Sequence, residues 1–171
     1  MTVEIRALQP SDERESFRSG DEALDLYFHR YAGQNQFRHH LGVTYIALER
    51  STILGFVTVS PGQLDADALP SRKRRPPYPV PVLRVARLAT GEAHRGRGVG
   101  KALLRFAIEL AEKMREELGC VGLVVDAKPA ADGFYEALGF VAIGLIEGAS
   151  AEVPRPTPMF IALSSVPPAR R

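Results

Sequence analysis

A strand that runs into a glycine-rich turn and out into a helix is the arrangement that most restricts this chain. Val80 to Ala89 is an apolar run of strand character, and after it apolar side chains recur at Val99, Leu103, Phe106, Leu110, Met114 and Leu118. That three- and four-residue spacing marks one face of an amphipathic helix. Lys101, Arg105, Glu109, Glu112, Lys113 and Glu116 take the other face, and Gly119 stands where a helix end favours a left-handed residue. Between strand and helix lies Thr-Gly-Glu-Ala-His-Arg-Gly-Arg-Gly-Val-Gly, Thr90 to Gly100. The first amides of a helix have no partners inside it, and the aligned peptide dipoles place about half a positive charge there. Glycines let the backbone curl closely around an anion, so the amides of Arg97 to Lys101 are expected to cradle a pyrophosphate.

The spacing excludes two common phosphate loops. A Walker A loop needs Gly-Lys-Ser/Thr, but Gly100-Lys101 is followed by Ala102, and the earlier glycine position holds Arg95. A dinucleotide fingerprint has Gly-x-Gly-x-x-Gly, and Gly96 and Gly98 are followed by Lys101 at the third position. What fits is Arg/Gln-x-x-Gly-x-Gly/Ala, as Arg95, Gly98 and Gly100. A second stretch, Ala131 to Phe140, reads Ala-Asp-Gly-Phe-Tyr-Glu-Ala-Leu-Gly-Phe, a short helix carrying Phe-Tyr and closing on Gly-Phe. In this order the two stretches resemble the coenzyme A loop and the second signature of the GNAT acyltransferase superfamily.

At 171 residues the chain suits one domain, expected over 1–165 with a frayed tail from 166 to 171. A hydrophobic content of 45% and a charged content of 25% are ordinary for a globular protein. No apolar run approaches the ~20 residues of a membrane span, and the N-terminus lacks a secretory pattern, so no membrane and a cytoplasmic location are expected. The single cysteine, Cys120, between a helix end and an apolar strand, reads as a buried inert thiol. A net charge of +2 argues nothing about nucleic acid, but Arg72-Lys73-Arg74-Arg75 is a compact basic run. It reads either as a solvated loop or as a site for an anionic partner.

Along the chain, residues 2 to 8 alternate as a first strand. Ser19 and Glu22 have the spacing of a capping box for a helix lasting to about Gly33, with Leu24, Phe28 and Tyr31 on its buried face. Val43 to Glu49 and Ile53 to Ser60 make a hairpin that Pro61 is expected to stop, and Gln63 to Pro79 is a long connection. Val121 to Ala127 reads as a strand parallel to the earlier one and buried on both faces. Strands are also expected at Phe140 to Ile146 and Pro158 to Leu163.

This order is that of the GNAT superfamily. The resemblance implies an α/β fold: a mixed, mostly antiparallel sheet with two splayed central parallel strands and flanking helices. It implies acetyl-CoA as co-substrate and no metal. The free strand edge at Leu88, Ala89 and Thr90 would pair with the pantetheine arm, and Arg95, Gly96, Arg97, Gly98, Val99, Gly100 and Lys101 would hold the pyrophosphate. Phe134 would contact the coenzyme, although its residue type alone reads as packing. Phe17-x-Ser-Gly-x-x-x-Leu-Asp25, Ala32-x-Gln34, Pro70 to Pro81 and Arg87-Leu88-Ala89 are similar to the branch holding the toxin acetyltransferases of bacterial toxin–antitoxin pairs. Those enzymes acetylate the amino group of aminoacyl-tRNA, and a ribbon-helix-helix protein neutralises them. Two departures stand out: Leu-Ala-Thr-Gly91 lacks an acidic residue common in the branch, and Arg95 replaces a glutamine.

The implied chemistry is direct attack of an amine on a thioester. An amide near Leu88 to Thr90 would stabilise the oxyanion. Tyr135 is the expected general acid, because a phenol of pKa ~10 stays protonated at neutral pH yet can donate to a departing thiolate. Glu92, His94 and Asp126 are the nearest candidates for a base, and each also reads as a solvated or capping residue. Three readings stay open at this point. One is acetylation of aminoacyl-tRNA with Arg72, Lys73, Arg74 and Arg75 on phosphates. The others are acetylation of a small or protein amine, and a non-catalytic acyl-CoA-binding module. A homodimer is compatible with all three.

Overall fold

The computed structural model describes residues 2–70, 77–144 and 156–166. Seven strands form one sheet in the order β1-β2-β3-β4-β5-β7-β6. They are β1 (Glu4–Ala7), β2 (Val43–Glu49), β3 (Thr52–Leu64), β4 (Val80–Thr90), β5 (Gly122–Ala127), β6 (Val141–Ala142) and β7 (Thr157–Ala162). The chain divides into two compact units, Met1–Ser60 with Val85–Glu109, and Pro61–Arg84 with Leu110–Arg171. The helix α2 (Val99–Glu117), like β3 and β4, contributes residues to both.

In the first unit β2 is antiparallel to β1, with Ile5 opposite Ala47, and to β3, with Tyr45 opposite Val57. Gly55 packs against the Ala89 carbonyl, and in the second unit Gly62 lies against Val82 and Arg84. As position rises along β3 it falls along β4, so these two strands are antiparallel as well. The single parallel pair is therefore β4 with β5, joined by a crossover through α2. A mixed, mostly antiparallel sheet with one parallel pair is the architecture that the sequence implies.

Aromatic residues make the core of the first unit. Phe28 stacks on Phe56 at 4.3 Å, and Phe17 meets both rings edge-on at 5.1 and 5.7 Å. Leu8, Tyr27, Ala32 and Ile46 complete it. The helix here differs from expectation at both ends. Its N-cap is Asp21, whose carboxylate accepts the Leu24 amide at 3.1 Å, and Ser19 turns instead to Asp25. A buried carboxylate at Asp25 out-competes the expected reciprocal pairing with Glu22. After α1 (Glu22–Leu26) the chain winds on as π-helical turns, Tyr27–Tyr31 and Gln34–Arg38. The wider turn brings Tyr27, Phe28 and Ala32 inward and leaves Tyr31 45% exposed, so the expected buried face is displaced.

Helix α2 buries Val99, Leu103, Leu104, Ala107 and Ala111, while Phe106, Leu110 and Met114 are half-buried. Leu118 lies beyond the helix end, is 84% exposed and does not join the seam. Gly119 adopts φ +104, and its amide closes onto the Met114 carbonyl at 2.7 Å. Pro61 does not stop β3, which continues to Leu64. The β2 ladder ends at Val59, so on that side the strand no longer needs a donor at residue 61.

In the second unit β5 is buried along nearly its whole length and is antiparallel to β7, with Val124 opposite Phe160. Leu64, Val80, Val82, Val124 and Phe160 form its core. β6 is only Val141–Ala142, a short exposed edge on β7 rather than a strand over 140–146. Leu145 and Ile146 lie outside the described residues. Among the described residues, no helix is long and apolar enough to cross a membrane.

Candidate active site

The glycine-rich turn is built in the first unit. At the end of β4 the Gly91 amide donates to the Leu54 carbonyl at 2.8 Å, and a short 3-10 turn, Glu92–His94, leads to Arg95. Gly96 and Gly98 both adopt φ +78, and a Cβ on either would meet nothing within 4 Å. Backbone conformation, not crowding, is what reserves these positions for glycine. Gly100 has no such φ and sits in the first turn of α2. The first amide bonded across the turn is that of Ala102, onto the Gly98 carbonyl at 3.0 Å. Among the described residues the amides of Val99, Gly100 and Lys101 have no acceptor, so they remain for an anion at the helix N-terminus.

The side chains of this turn point elsewhere. Val99 is buried in the core. Arg97 pairs with Glu49 at 2.8 Å and meets His94 Nδ1 at 3.2 Å, and Arg95 donates to the Ser19 carbonyl. Neither arginine side chain is therefore set to hold the anion by charge; what the turn offers is backbone. Arg95 also reveals residues that the sequence reading misjudged. Asp25, buried, accepts the Ser19 amide at 2.9 Å and the Ser19 hydroxyl at 2.7 Å. Gly20 adopts φ +91, and a Cβ there would lie 2.7 Å from both Arg95 Nη2 and Glu92 Oε1. The Glu92 amide donates to the Arg18 carbonyl at 2.8 Å. Residues 18 to 20 thus brace the turn from behind, and the Phe-x-Ser-Gly motif was its visible signal.

In the half of β4 that belongs to this unit, Ala86 and Arg87 are both exposed, Leu88 and Thr90 are half-buried and Ala89 is buried. Two consecutive exposed residues break the usual alternation of a paired strand. Arg87 lays its guanidinium over the Tyr27 ring, 3.7 Å from the centroid.

The second unit carries the other expected site residues. Tyr135, on α3 (Asp132–Ala137), is 5% exposed and lies between Phe134 and Phe140, with ring centroids 5.1 and 5.4 Å away. Gly139, at φ +99, ends the helix and returns the chain to Phe140. Burial pushes the Tyr135 phenol well above its ordinary pKa, so it stays protonated at any physiological pH. Its hydroxyl makes no hydrogen bond among the described residues. Phe134 is 38% exposed, which leaves its ring face open to a ligand as well as to packing. Asp126 is held by Arg84 at 2.8 Å, and its second oxygen is sealed without a partner. That carboxylate is structural in its surroundings rather than a solvated base. Cys120 is buried, its thiol donates to the Gly122 carbonyl at 3.3 Å, and burial raises its pKa. An inert thiol is what the sequence led one to expect. Arg72, Lys73, Arg74 and Arg75 lie outside the described residues.

The model of the acetyltransferase (GNAT) family matches residues 3–140 of this chain. The chain belongs to the GNAT acetyltransferase family. It is an acetyl-CoA-dependent N-acetyltransferase. Among curated proteins it is 32% identical over 125 residues to the tRNA-acetylating toxin of Mycobacterium tuberculosis, covering 71% of this chain and 74% of the relative. Among solved structures it resembles AtaT complexed with acetyl-methionyl-tRNAfMet, at a TM-score of 0.83 and 24% identity, covering 96% of each chain. It also resembles AtaTR bound with acetyl-CoA, at a TM-score of 0.76 and 25% identity over 95% of each chain. In this GNAT enzyme the amides of Val99, Gly100 and Lys101 open α2 directly after Gly98.

Proposed function

We propose that this acetyltransferase transfers the acetyl group of acetyl-CoA to the α-amino group of an aminoacyl-tRNA. The observation that carries the reading is the 32% identity to a tRNA-acetylating toxin across most of both chains. The free amides of Val99, Gly100 and Lys101, shaped by Gly96 and Gly98, take the coenzyme pyrophosphate, and the backbone of β4 at Leu88 to Thr90, whose side chains are half-buried or buried, pairs with the pantetheine arm. The partly exposed ring of Phe134 is assigned to a coenzyme contact as well. The amine nitrogen attacks the thioester carbonyl, and an amide near Leu88 to Thr90 stabilises the resulting oxyanion. The C–S bond then breaks, the thiolate takes the proton of Tyr135, and the new amide nitrogen loses its own proton to solvent. An α-amine with a pKa of ~7.7 to 8 is already partly deprotonated near neutrality, so no dedicated base is required.

β3, β4 and α2 each run through both compact units, which supports residues 1–165 as one catalytic domain. A cytoplasmic enzyme meets charged tRNA directly. AtaT has been solved with the C-terminus of an antitoxin, AtaR, which supports a neutralising partner of that kind here. Arg72 to Arg75 are assigned to phosphate contacts. The test is to incubate the protein and radiolabelled acetyl-CoA with charged tRNA, small amines and peptides in parallel. Label recovered on charged tRNA, at a kcat/KM well above the other acceptors, is expected. Preference for a small amine or a peptide would replace the acceptor while leaving the transferase.

A further inference from the structure

The face of the first unit formed by Arg30, Phe37 and Arg38 has no role in the chemistry above. No aspartate or glutamate occurs between Asp25 and Glu49. The same stretch holds Arg30, Arg38, His29, His39 and His40. Its helical turns are fastened on their inner side by Tyr27, Phe28 and Ala32 in the core, and by Gln36. The Gln36 side chain donates to the Leu8 carbonyl at 3.1 Å and accepts the Thr44 amide at 2.9 Å. Arg30, Gln34, Arg38, His39 and His40 face outward and are exposed. Beside them Tyr31, Phe37 and Leu41 are 45%, 38% and 64% exposed.

Arginines elsewhere in this unit are engaged: Arg6 with Asp12, Arg14 with the Phe28 carbonyl, Arg87 on Tyr27, Arg95 on Ser19 and Arg97 with Glu49. Arg30 and Arg38 have no such contact among the described residues. Arg50 and Arg105 are also exposed, but each has a glutamate within four positions, Glu49 and Glu109. Among the described residues of this unit, the helical face combines unengaged guanidinium groups, aromatic rings open to solvent and a run of sequence without acids from Leu26 to Leu48. Guanidinium groups meet phosphates, and exposed rings stack on bases that are not paired in a duplex.

We infer that Arg30 and Arg38, with Phe37, form an RNA-contact surface that binds the phosphate backbone and unstacked bases of the tRNA acceptor. This surface rests on the tRNA reading and is separate from the basic run at Arg72 to Arg75. Each phosphate neutralised releases condensed counterions, so the two arginines account for a fixed part of the salt dependence of RNA binding.

The experiment titrates fluorescently labelled tRNA into the parent and into Arg30→Ala/Arg38→Ala at several salt concentrations. Arg50→Ala/Arg105→Ala, which removes the same charge elsewhere, serves as the control. Removing Arg30 and Arg38 is expected to lower the slope of log affinity against log salt by about one to two, and affinity at low salt by roughly tenfold. Phe37→Ala is expected to weaken binding several-fold at every salt concentration, because stacking is not ionic. Acetylation of an amino acid methyl ester, which has no phosphates, is expected to be unchanged by all three variants. A slope unaltered by the Arg30/Arg38 change, or lowered equally in the control, overturns the inference and leaves the tRNA reading standing. A parent that binds no tRNA overturns both.

Discussion

The coenzyme turn and the Tyr135 helix solve different problems by opposite means. At the turn the proposed working groups are main-chain amides, and the side chains are directed away: Arg95 to Ser19, Arg97 to Glu49, Val99 into the core. At Tyr135 the proposed working group is one hydroxyl, and a short helix sets its ring between Phe134 and Phe140. A site made of amides is sensitive to what changes φ and indifferent to much side-chain chemistry. A site made of one hydroxyl is indifferent to φ within its helix and loses its chemistry with a single atom.

The largest effect tests the second half of that contrast. Tyr135→Phe keeps the ring and its burial, so the fold and acetyl-CoA affinity are expected to persist while kcat falls by roughly 10²- to 10⁴-fold. Equal turnover would make Tyr135 a packing residue. The pH profile sharpens the point. Because burial raises the phenol's pKa, the protonated form persists above the ordinary value of ~10. The kcat profile is therefore expected to show no descending limb from loss of this proton up to pH ~9.5; a descending limb below pH 9 that disappears in Tyr135→Phe would contradict the burial.

The turn gives the next effect. Gly98→Val forces a β-branched residue into φ +78, where strain of about 1–3 kcal/mol will either reshape the turn or destabilise it. Acetyl-CoA affinity by calorimetry is expected to fall about tenfold to a hundredfold, in line with that strain. Gly100→Ala, in ordinary helical backbone, is expected to change affinity far less. Equal losses at the two positions would mean that crowding rather than φ governs the turn.

The smallest effect belongs to the brace. Asp25→Ala leaves the Ser19 amide and hydroxyl without their acceptor, whereas Asp25→Asn keeps an oxygen in place. A KM for acetyl-CoA raised about threefold to tenfold in the alanine variant, and largely restored in the asparagine variant, is expected on that basis. S-acetylpantetheine lacks the pyrophosphate and separates the causes. If the alanine variant loses as much activity with it as with acetyl-CoA, Asp25 holds the fold rather than the turn.

The strand, the turn, α2 and the Phe-Tyr helix were legible because each is local. Glycine spacing, helical periodicity and terminal glycines act within a few residues of themselves. What the sequence hid depends on partners far along the chain. Ser19 looked like a cap because Glu22 stands three residues on, but the competing carboxylate of Asp25 is buried by the surrounding fold. Tyr31 looked buried because its spacing suits an α-helix, and the π-helical winding that begins at Tyr27 moves it outward. Pro61 looked like a stop because it lacks an amide, yet the neighbouring ladder has already ended there. The bracing of Arg95 by Ser19 joins positions 76 residues apart, which no periodicity reports.

The sealed position of Cys120 has a practical corollary. Acetyl transfer liberates the free thiol of coenzyme A, which aromatic disulfide reagents detect by colour. The protein's only thiol is buried, and its proton is held against the Gly122 carbonyl, so the folded enzyme adds little fast-reacting background to such an assay. Without substrate, slow reagent uptake instead times how often β5 and its surroundings open. One cysteine thus serves as a silent bystander during turnover and as a built-in clock for unfolding.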